Sequence, residues 1–284
     1  MPGGNLGFVD DCLDNFHSNT YLAAIRGELA GRGWSVAGAT ALQMPEGVQW
    51  AERNSLVYYD SVDQLASNVD AIAILAPSTP ATHWRLCKMV LPHGKPTFVD
   101  KTFAINCSEA QQIFDLADQH GAAIQSTSAL RSTNVQAYCR ESGERIRSIT
   151  VWAGGDTFAE YGVHPIELAV SSLDETPSRM AVISGSPWTT ILLEFSRGRT
   201  ATIHFNASEH LPFEVLVESL AEKRLLRVDD SVLFVNAARC ILDFFDAGRA
   251  LVPREQTMAI MRVLDATRAP EAASTWLDLE PHSG

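Results

Sequence analysis

The chain has 284 residues, of which 46% are hydrophobic, and carries a formal net charge of −12 and five cysteines; that is enough apolar material for two ordinary cores. So acidic a balance argues against a nucleic-acid or anionic-membrane partner, because phosphate is bound by positive surface. The scattered cysteines without C-x-x-C spacing fit reduced thiols rather than a disulfide frame or a zinc site. No apolar run approaches the roughly 20 residues of a membrane span, and Met1-Pro2-Gly3-Gly4 has no signal-peptide character, so a cytoplasmic location is expected.

In chain order, Leu6 to Val9 reads as a strand and Tyr21 to Ala30 as a helix with Leu22, Ile25 and Leu29 on one face, stopped by Gly31 and Gly33. Trp34 to Ala39 and Val57 to Tyr59 read as strands, and Ser61-Val62-Asp63-Gln64 is a capping box that opens a short helix. Ala71 to Ala76 is unbroken apolar, as in a strand covered on both faces. A helix over about 81–91 precedes the buried strand Thr97-Phe98-Val99, and Ser108-Glu109-Ala110-Gln111 is a second capping box opening a helix that Gly121 ends. Strand alternating with helix predicts a Rossmann-like, doubly wound parallel sheet.

Beyond about Arg131 the pattern changes. Ile146 to Ala153, Met180 to Ser184, Thr190 to Phe195, Thr200 to Asn206, Phe213 to Glu218, Arg224 to Val228 and Ser231 to Val235 read as strands, with hairpin turns at Arg197-Gly198 and Asp229-Asp230. Two helices follow, Ala237 to Ala247 and about 255–266, and the tail from Pro270 reads as irregular. The expectation is α/β overall, with a dinucleotide-binding domain over 1–128 and, over 129–284, an α+β domain built on a mostly antiparallel, open-faced sheet.

The segment after the first strand conflicts with that expectation. A dinucleotide loop needs glycine for the tight turn, for approach to the pyrophosphate and for helix packing, and here Asp10, Cys12 and Asn15 stand at those places. Asp10, Asp11 and Asp14 bring negative charge to a phosphate site, so the pyrophosphate is either held differently or absent. Asp14, Asn15 or Ser18 also serves as the N-cap of the next helix. Asp10, Asp14 and His17 are of metal-ligand type, but nothing fixes their geometry and no metal is expected.

Two further segments carry a family resemblance. Leu75-Ala76-Pro77, His83 and Gly94-Lys95-Pro96-Thr97-Phe98-Val99-Asp100-Lys101-Thr102 resemble the strand, helix and "GK…V…EKP" passage of the Gfo/Idh/MocA oxidoreductases, and Glu160-Tyr161-Gly162-Val163-His164-Pro165-Ile166-Glu167 is similar to that family's D-x-G-x-H-x-x-D segment. The resemblance implies hydride transfer between NAD(P) and a sugar-like or other small hydroxylated molecule bound between the domains. It implies that Lys101 touches substrate hydroxyl and nicotinamide, that His164 is the acid-base residue, and that Glu160 orients the imidazole or binds a hydroxyl. The reaction needs such groups, because hydride leaves carbon only as the hydroxyl proton is taken. Asp10, Cys12, Asn15, His17, Thr40, Pro77, Ser78, His83 and Lys101 are the expected cofactor-binding set, and a homo-oligomer (dimer or tetramer), covering the open sheet face, is expected.

Each residue also has a structural reading. A lysine after a buried strand is commonly a solvated chain end, and a histidine opening an apolar helix commonly bonds backbone. Arg131 reads as a surface arginine. The chain also departs from the family: Ala39-Thr40-Ala41-Leu42 lacks the acid that holds an adenosine ribose, Thr102 replaces proline, and Glu160 replaces aspartate. Two other classes therefore stay open: a non-redox lyase, isomerase or cyclase that has lost the dinucleotide, and a non-catalytic sensor on the same fold.

Overall fold

The computed structural model describes residues 3–77, 80–143, 146–268 and 275–279. The chain forms two compact units, the first of Met1–Thr127 with Phe234–Pro253 and the second of Ser128–Leu233 with the chain from Arg254. Residues 234–253, expected in the second domain, belong to the first.

The first unit runs β1 (Gly4–Asp10), α1 (Phe16–Arg26), β2 (Trp34–Ala41), α2 (Met44–Arg53), β3 (Val57–Tyr58), α3 (Val62–Ala66), β4 (Ala71–Ile74), α4 (Pro80–Val90), β5 (Thr97–Asp100), α5 (Cys107–Gln119) and β6 (Ile124–Thr127). Its strands form one parallel sheet in the order β3-β2-β1-β4-β5-β6, a Rossmann arrangement. Alternate residues of β1 serve the two faces. Leu6 and Phe8 line one small apolar cavity with Tyr21 and Ile25 of α1, while a Cβ on Gly7 would lie 3.0 Å from the Leu65 side chain of α3. Helices on both faces explain why β4 and β5 are buried at every position.

The second unit contains α6 (Asn134–Ser142), β7 (Ile146–Gly154), α7 (Phe158–Tyr161), α8 (Val163–Leu173), β8 (Arg179–Ser184), β9 (Trp188–Glu194), β10 (Thr200–Asn206), β11 (Glu214–Ser219) and β12 (Lys223–Arg227). After α9 (Leu233–Ala247), most of which lies in the first unit, it resumes with α10 (Arg254–Ala266) and β13 (Leu277–Asp278). The sheet order is β12-β11-β7-β10-β9-β8-β13, antiparallel except for the β7–β10 pair. Helix α8 lies against the sheet, and its Ile166, Leu168, Ala169 and Val170 are fully buried. On the other face Trp152, Leu192, Thr202 and Leu216 are only half-buried, so the sheet is open on one side.

Several local expectations are corrected. Residues 231–235 lead into α9 rather than forming a strand, because Leu233, Ala237, Ala238 and Ile241 supply a buried helical stripe. The first helix starts earlier and ends earlier than the pattern suggests: Asn15 caps it through Ser18 N–H, and Gly27 closes it. The cap of α5 is Asn106, which accepts from Glu109 N–H, two residues before the capping box read from sequence. Helices α2 and α6 are not expected from the sequence, because each is largely polar and buries only three residues, Gly47, Trp50 and Ala51 in α2 and Val135, Gln136 and Cys139 in α6. The β9–β10 turn does pass through Arg197 and Gly198, at φ of 56° and 68°.

Candidate functional site

At the carboxyl edge of the parallel sheet, β1 ends on Asp10, whose carboxyl is 1% exposed. Its Oδ1 accepts from Asp11 N–H (2.7 Å) and Cys12 N–H (3.2 Å), and its Oδ2 accepts from Asn15 Nδ2 (2.9 Å) and Ser18 Oγ (3.0 Å). Burial pushes this carboxyl up to about 7, and the four hydrogen bonds only moderate the rise. None of residues 10–15 has a positive φ, so the glycine-requiring turn is not made and side chains are tolerated. The remaining acids are locally answered: Asp11 accepts from Gln43 Nε2 at 3.1 Å, and Asp14 pairs with Arg53 at 2.6 Å.

This arrangement bears directly on a dinucleotide. The amides of residues 11 and 12, which a glycine loop would turn toward a diphosphate, are consumed by Asp10. The residues present therefore do not fit the family's phosphate cradle at this loop. A dinucleotide held here takes its phosphates elsewhere than on those amides.

The ends of β4 and β5 are different in character. Lys101, 8% exposed, donates from Nζ to the Pro77 carbonyl at 3.3 Å. Beside it Asp100 is fully buried, with His17 Nδ1 2.7 Å from its Oδ2. His17 Nδ1 and both Asp100 oxygens make no hydrogen bond of good geometry. Burial pushes the Asp100 carboxyl up, but His17, Lys101 and His83 together outweigh it and hold the group below the usual carboxylate range. Tyr21, buried nearby, has its phenol raised by burial and by the Asp100 charge.

His83, expected among the cofactor contacts, is tied to backbone carbonyls. It is 0% exposed, and its ring nitrogens lie 3.1 Å from the Phe103 carbonyl and 2.9 Å from the Ala76 carbonyl, tying together the chain after β4 and β5. A neutral ring can donate to only one of these, and burial lowers its affinity for the second proton. Asn15 and Cys12 are occupied within the loop: Asn15 Nδ2 bonds Asp10 and the Cys12 carbonyl. His17 packs on the rings of Phe16, Tyr21 and Phe234. Thr40, 5% exposed, ends β2, and Pro77 is half-buried; Ser78 lies outside the described residues. The metal-type trio of residues 10, 14 and 17 does not converge, and no His, Cys, Asp and Glu cluster suited to a metal ion is present among the described residues.

In the second unit His164 sits in the first turn of α8, half-buried, with Nδ1 2.7 Å from Ser128 Oγ. Ser128 Oγ also accepts from Leu130 N–H at 3.2 Å, and its hydroxyl either donates to Nδ1 or accepts from it, according to the imidazole tautomer. Ser128 was not singled out from sequence; only its place after the last parallel strand could have suggested it. Glu160 is exposed on the short helix α7, its N–H capped by Thr157. Arg131 is not a surface arginine: it meets buried Glu167 at 2.6 Å and Gln256 at 2.8 Å, and Gln256 in turn donates to Asp174. These contacts make Arg131 and Glu167 structural partners. The chain thus carries a buried lysine beside a stabilised carboxylate in one unit and a hydroxyl-anchored imidazole in the other, groups suited to moving protons.

A parallel sheet in this order defines a Rossmann-type α/β fold. Residues 17–128 match the Gfo/Idh/MocA family, described as an oxidoreductase family with an NAD-binding Rossmann fold. Similar solved structures include GenD2 from gentamicin A biosynthesis in complex with NAD (13% identity, 98% of this chain and 96% of that chain, TM-score 0.79). Others are myo-inositol 2-dehydrogenase from Lactobacillus plantarum (13%, 98% and 100%, 0.79) and UDP-N-acetylglucosamine 3-dehydrogenase from Acidithiobacillus ferrooxidans (13%, 94% and 97%, 0.76). At these identities the likeness is one of fold. No curated protein matches the chain. Among the described residues no helix is long and apolar enough to cross a membrane.

Proposed function

We propose that the protein is a cytoplasmic oxidoreductase that moves a hydride between a nicotinamide cofactor and a hydroxyl or carbonyl carbon of a sugar-like or other small hydroxylated molecule. The observation that supports it best is Lys101 at the carboxyl end of β5, within the segment that matches the oxidoreductase family. The cofactor, when bound, supplies the hydride donor or acceptor. Lys101 Nζ exchanges its bond to the Pro77 carbonyl for one to the substrate oxygen, and buried Asp100 keeps the site charge-balanced. His164 takes or returns the proton at Nε2, while Ser128 fixes its ring. A homo-oligomer formed through the open sheet face completes the reading, since half-buried Trp152, Leu192 and Leu216 gain from cover.

Titrating the protein with NADH and with NADPH, by calorimetry and nicotinamide fluorescence, tests this reading. Saturable binding is expected, and Lys101→Ala is expected to lower turnover by about 10²–10⁴-fold. Failure of both cofactors to bind at millimolar concentration overturns it. One observation favours a second reading, a lyase, isomerase or cyclase using the same proton-transfer groups: the Asp10 carboxyl occupies the amides a diphosphate would need. That reading predicts activity without added cofactor and is abandoned if free nicotinamide is turned over.

A further inference from the structure

The loop between β1 and α1 is built against the ligand that its place in the sheet would receive. Four donors converge on one carboxyl: the N–H groups of Asp11 and Cys12 reach Asp10 Oδ1, and Asn15 Nδ2 and Ser18 Oγ reach Asp10 Oδ2. In a parallel sheet of this order, a diphosphate is held by backbone N–H groups at the foot of the first helix. Here those groups meet an acceptor of the chain itself. Carboxyl and phosphoryl oxygens accept from the same donors, so the two compete.

The chain's own group is hard to displace. Asp10 and Ser18 are both buried, so the carboxyl leaves only if the loop opens. Asn15 is committed beyond its bond to Asp10, because its Oδ1 caps α1 through the Ser18 N–H and its Nδ2 also reaches the Cys12 carbonyl. Nor does the rim offer a free cation to a phosphate. Asp11 accepts from the neutral Gln43 amide, and Arg53 is already paired with Asp14. An incoming diphosphate finds its amides taken and carboxylates around them.

We infer that Asp10 is a specificity-determining residue at this sheet edge, a built-in competitor that weakens the binding of any ligand carrying a diphosphate. This rests on the reading that a nicotinamide dinucleotide binds here, and it adds that the dinucleotide is held through its other parts, with an affinity that the Asp10 carboxyl sets. Removing that carboxyl tightens binding, the reverse of what the loss of a contact residue does.

Calorimetry on the full chain, with NADH and with inorganic pyrophosphate as probes, tests the inference on the parent, Asp10→Gly, Asp10→Ala and Asp10→Asn. Glycine and alanine offer the amides no acceptor, and residue 10 has no positive φ that would strain an alanine. Both variants should bind NADH at least about tenfold more tightly than the parent. Both should also bind pyrophosphate, with a raised melting temperature, where the parent binds none at millimolar concentration. Asp10→Asn keeps an oxygen at the amides and should gain less than either. Equal or weaker NADH binding in glycine and alanine variants that melt cooperatively overturns the inference and leaves the nicotinamide reading standing. NADH bound by no form, with pyrophosphate bound by those two variants alone, overturns the nicotinamide reading and keeps the inference. An asparagine variant that gains as much as the glycine variant overturns the inference, because charge and not occupancy of the amides would then be the obstacle. Neither probe bound by any form overturns both. If the glycine and alanine variants do not fold, the parent decides, since saturable pyrophosphate binding to it overturns the inference.

Discussion

Asp10 and Asp100 end two strands of the same parallel sheet, are equally buried, and behave oppositely. Asp10 is surrounded only by neutral donors, which cannot offset desolvation, and its carboxyl rises to about 7. Asp100 has no hydrogen bond of good geometry, yet His17, Lys101 and His83 hold it ionised. In a buried carboxylate, then, the sign of the neighbours outweighs the number of hydrogen bonds. The β1 end is a self-contained polar knot that shapes a loop, whereas the β5 end is an electrostatic cluster with a lysine at its rim.

The largest expected effect comes from breaking the cluster. Asp100→Asn removes the buried anion that faces Lys101, and urea unfolding should show a loss of about 3–5 kcal/mol. A loss under 1 kcal/mol would mean that the contrast with Asp10 is overstated.

Titration sharpens the comparison next. The folded-state value of Asp10 is raised from 3.8 to about 7, so its contribution is fully present below pH 4 and is lost as pH rises through 7, by at most roughly 4 kcal/mol. Asp100, held below its ordinary value, contributes stability that is present above pH 4 and is lost as acid lowers the pH through its folded value. Melting temperature against pH should therefore lose the slope between about pH 4 and 7 in Asp10→Asn, and part of the acid limb in Asp100→Asn. Identical curves for the parent and Asp10→Asn would refute the assignment. The smallest effect belongs to the loop's outer acid. Asp14 and Arg53 are about half-exposed, and Arg53→Ala should change stability by no more than about 0.5 kcal/mol.

The parallel sheet was legible because β4 and β5 are short apolar runs flanked by helical stripes, a pattern with one structural solution. Lys101 and His164 were singled out by a resemblance of short motifs. What the chain hid is long-range or polar. Nothing near residue 128 announces that its hydroxyl meets an imidazole 36 positions later. The departure from glycine at Asp10, Cys12 and Asn15 was visible, but not that the first acid folds back onto its own loop, since that depends on Asn15 and Ser18 converging on one carboxyl. Arg131 read as surface because a single arginine carries no sign of its partner, and Glu167 and Gln256 lie 36 and 125 residues away. The mistaken strand over 231–235 shows a short β-branched run overruled by the helical stripe that follows it.

That same helix sets an order on biosynthesis. Phe245 of α9 packs on Trp34 at 5.5 Å between ring centroids, Asp246 takes the Trp34 indole N–H, and Gln125 on β6 accepts from the N–H groups of Leu251 and Val252. A ribosome that has delivered the six parallel strands has therefore not delivered everything they need. The nascent nucleotide-type unit waits with Leu6, Phe8 and Trp34 under-covered until more than a hundred further residues have emerged, and a truncation at the obvious boundary would leave that apolar surface bare.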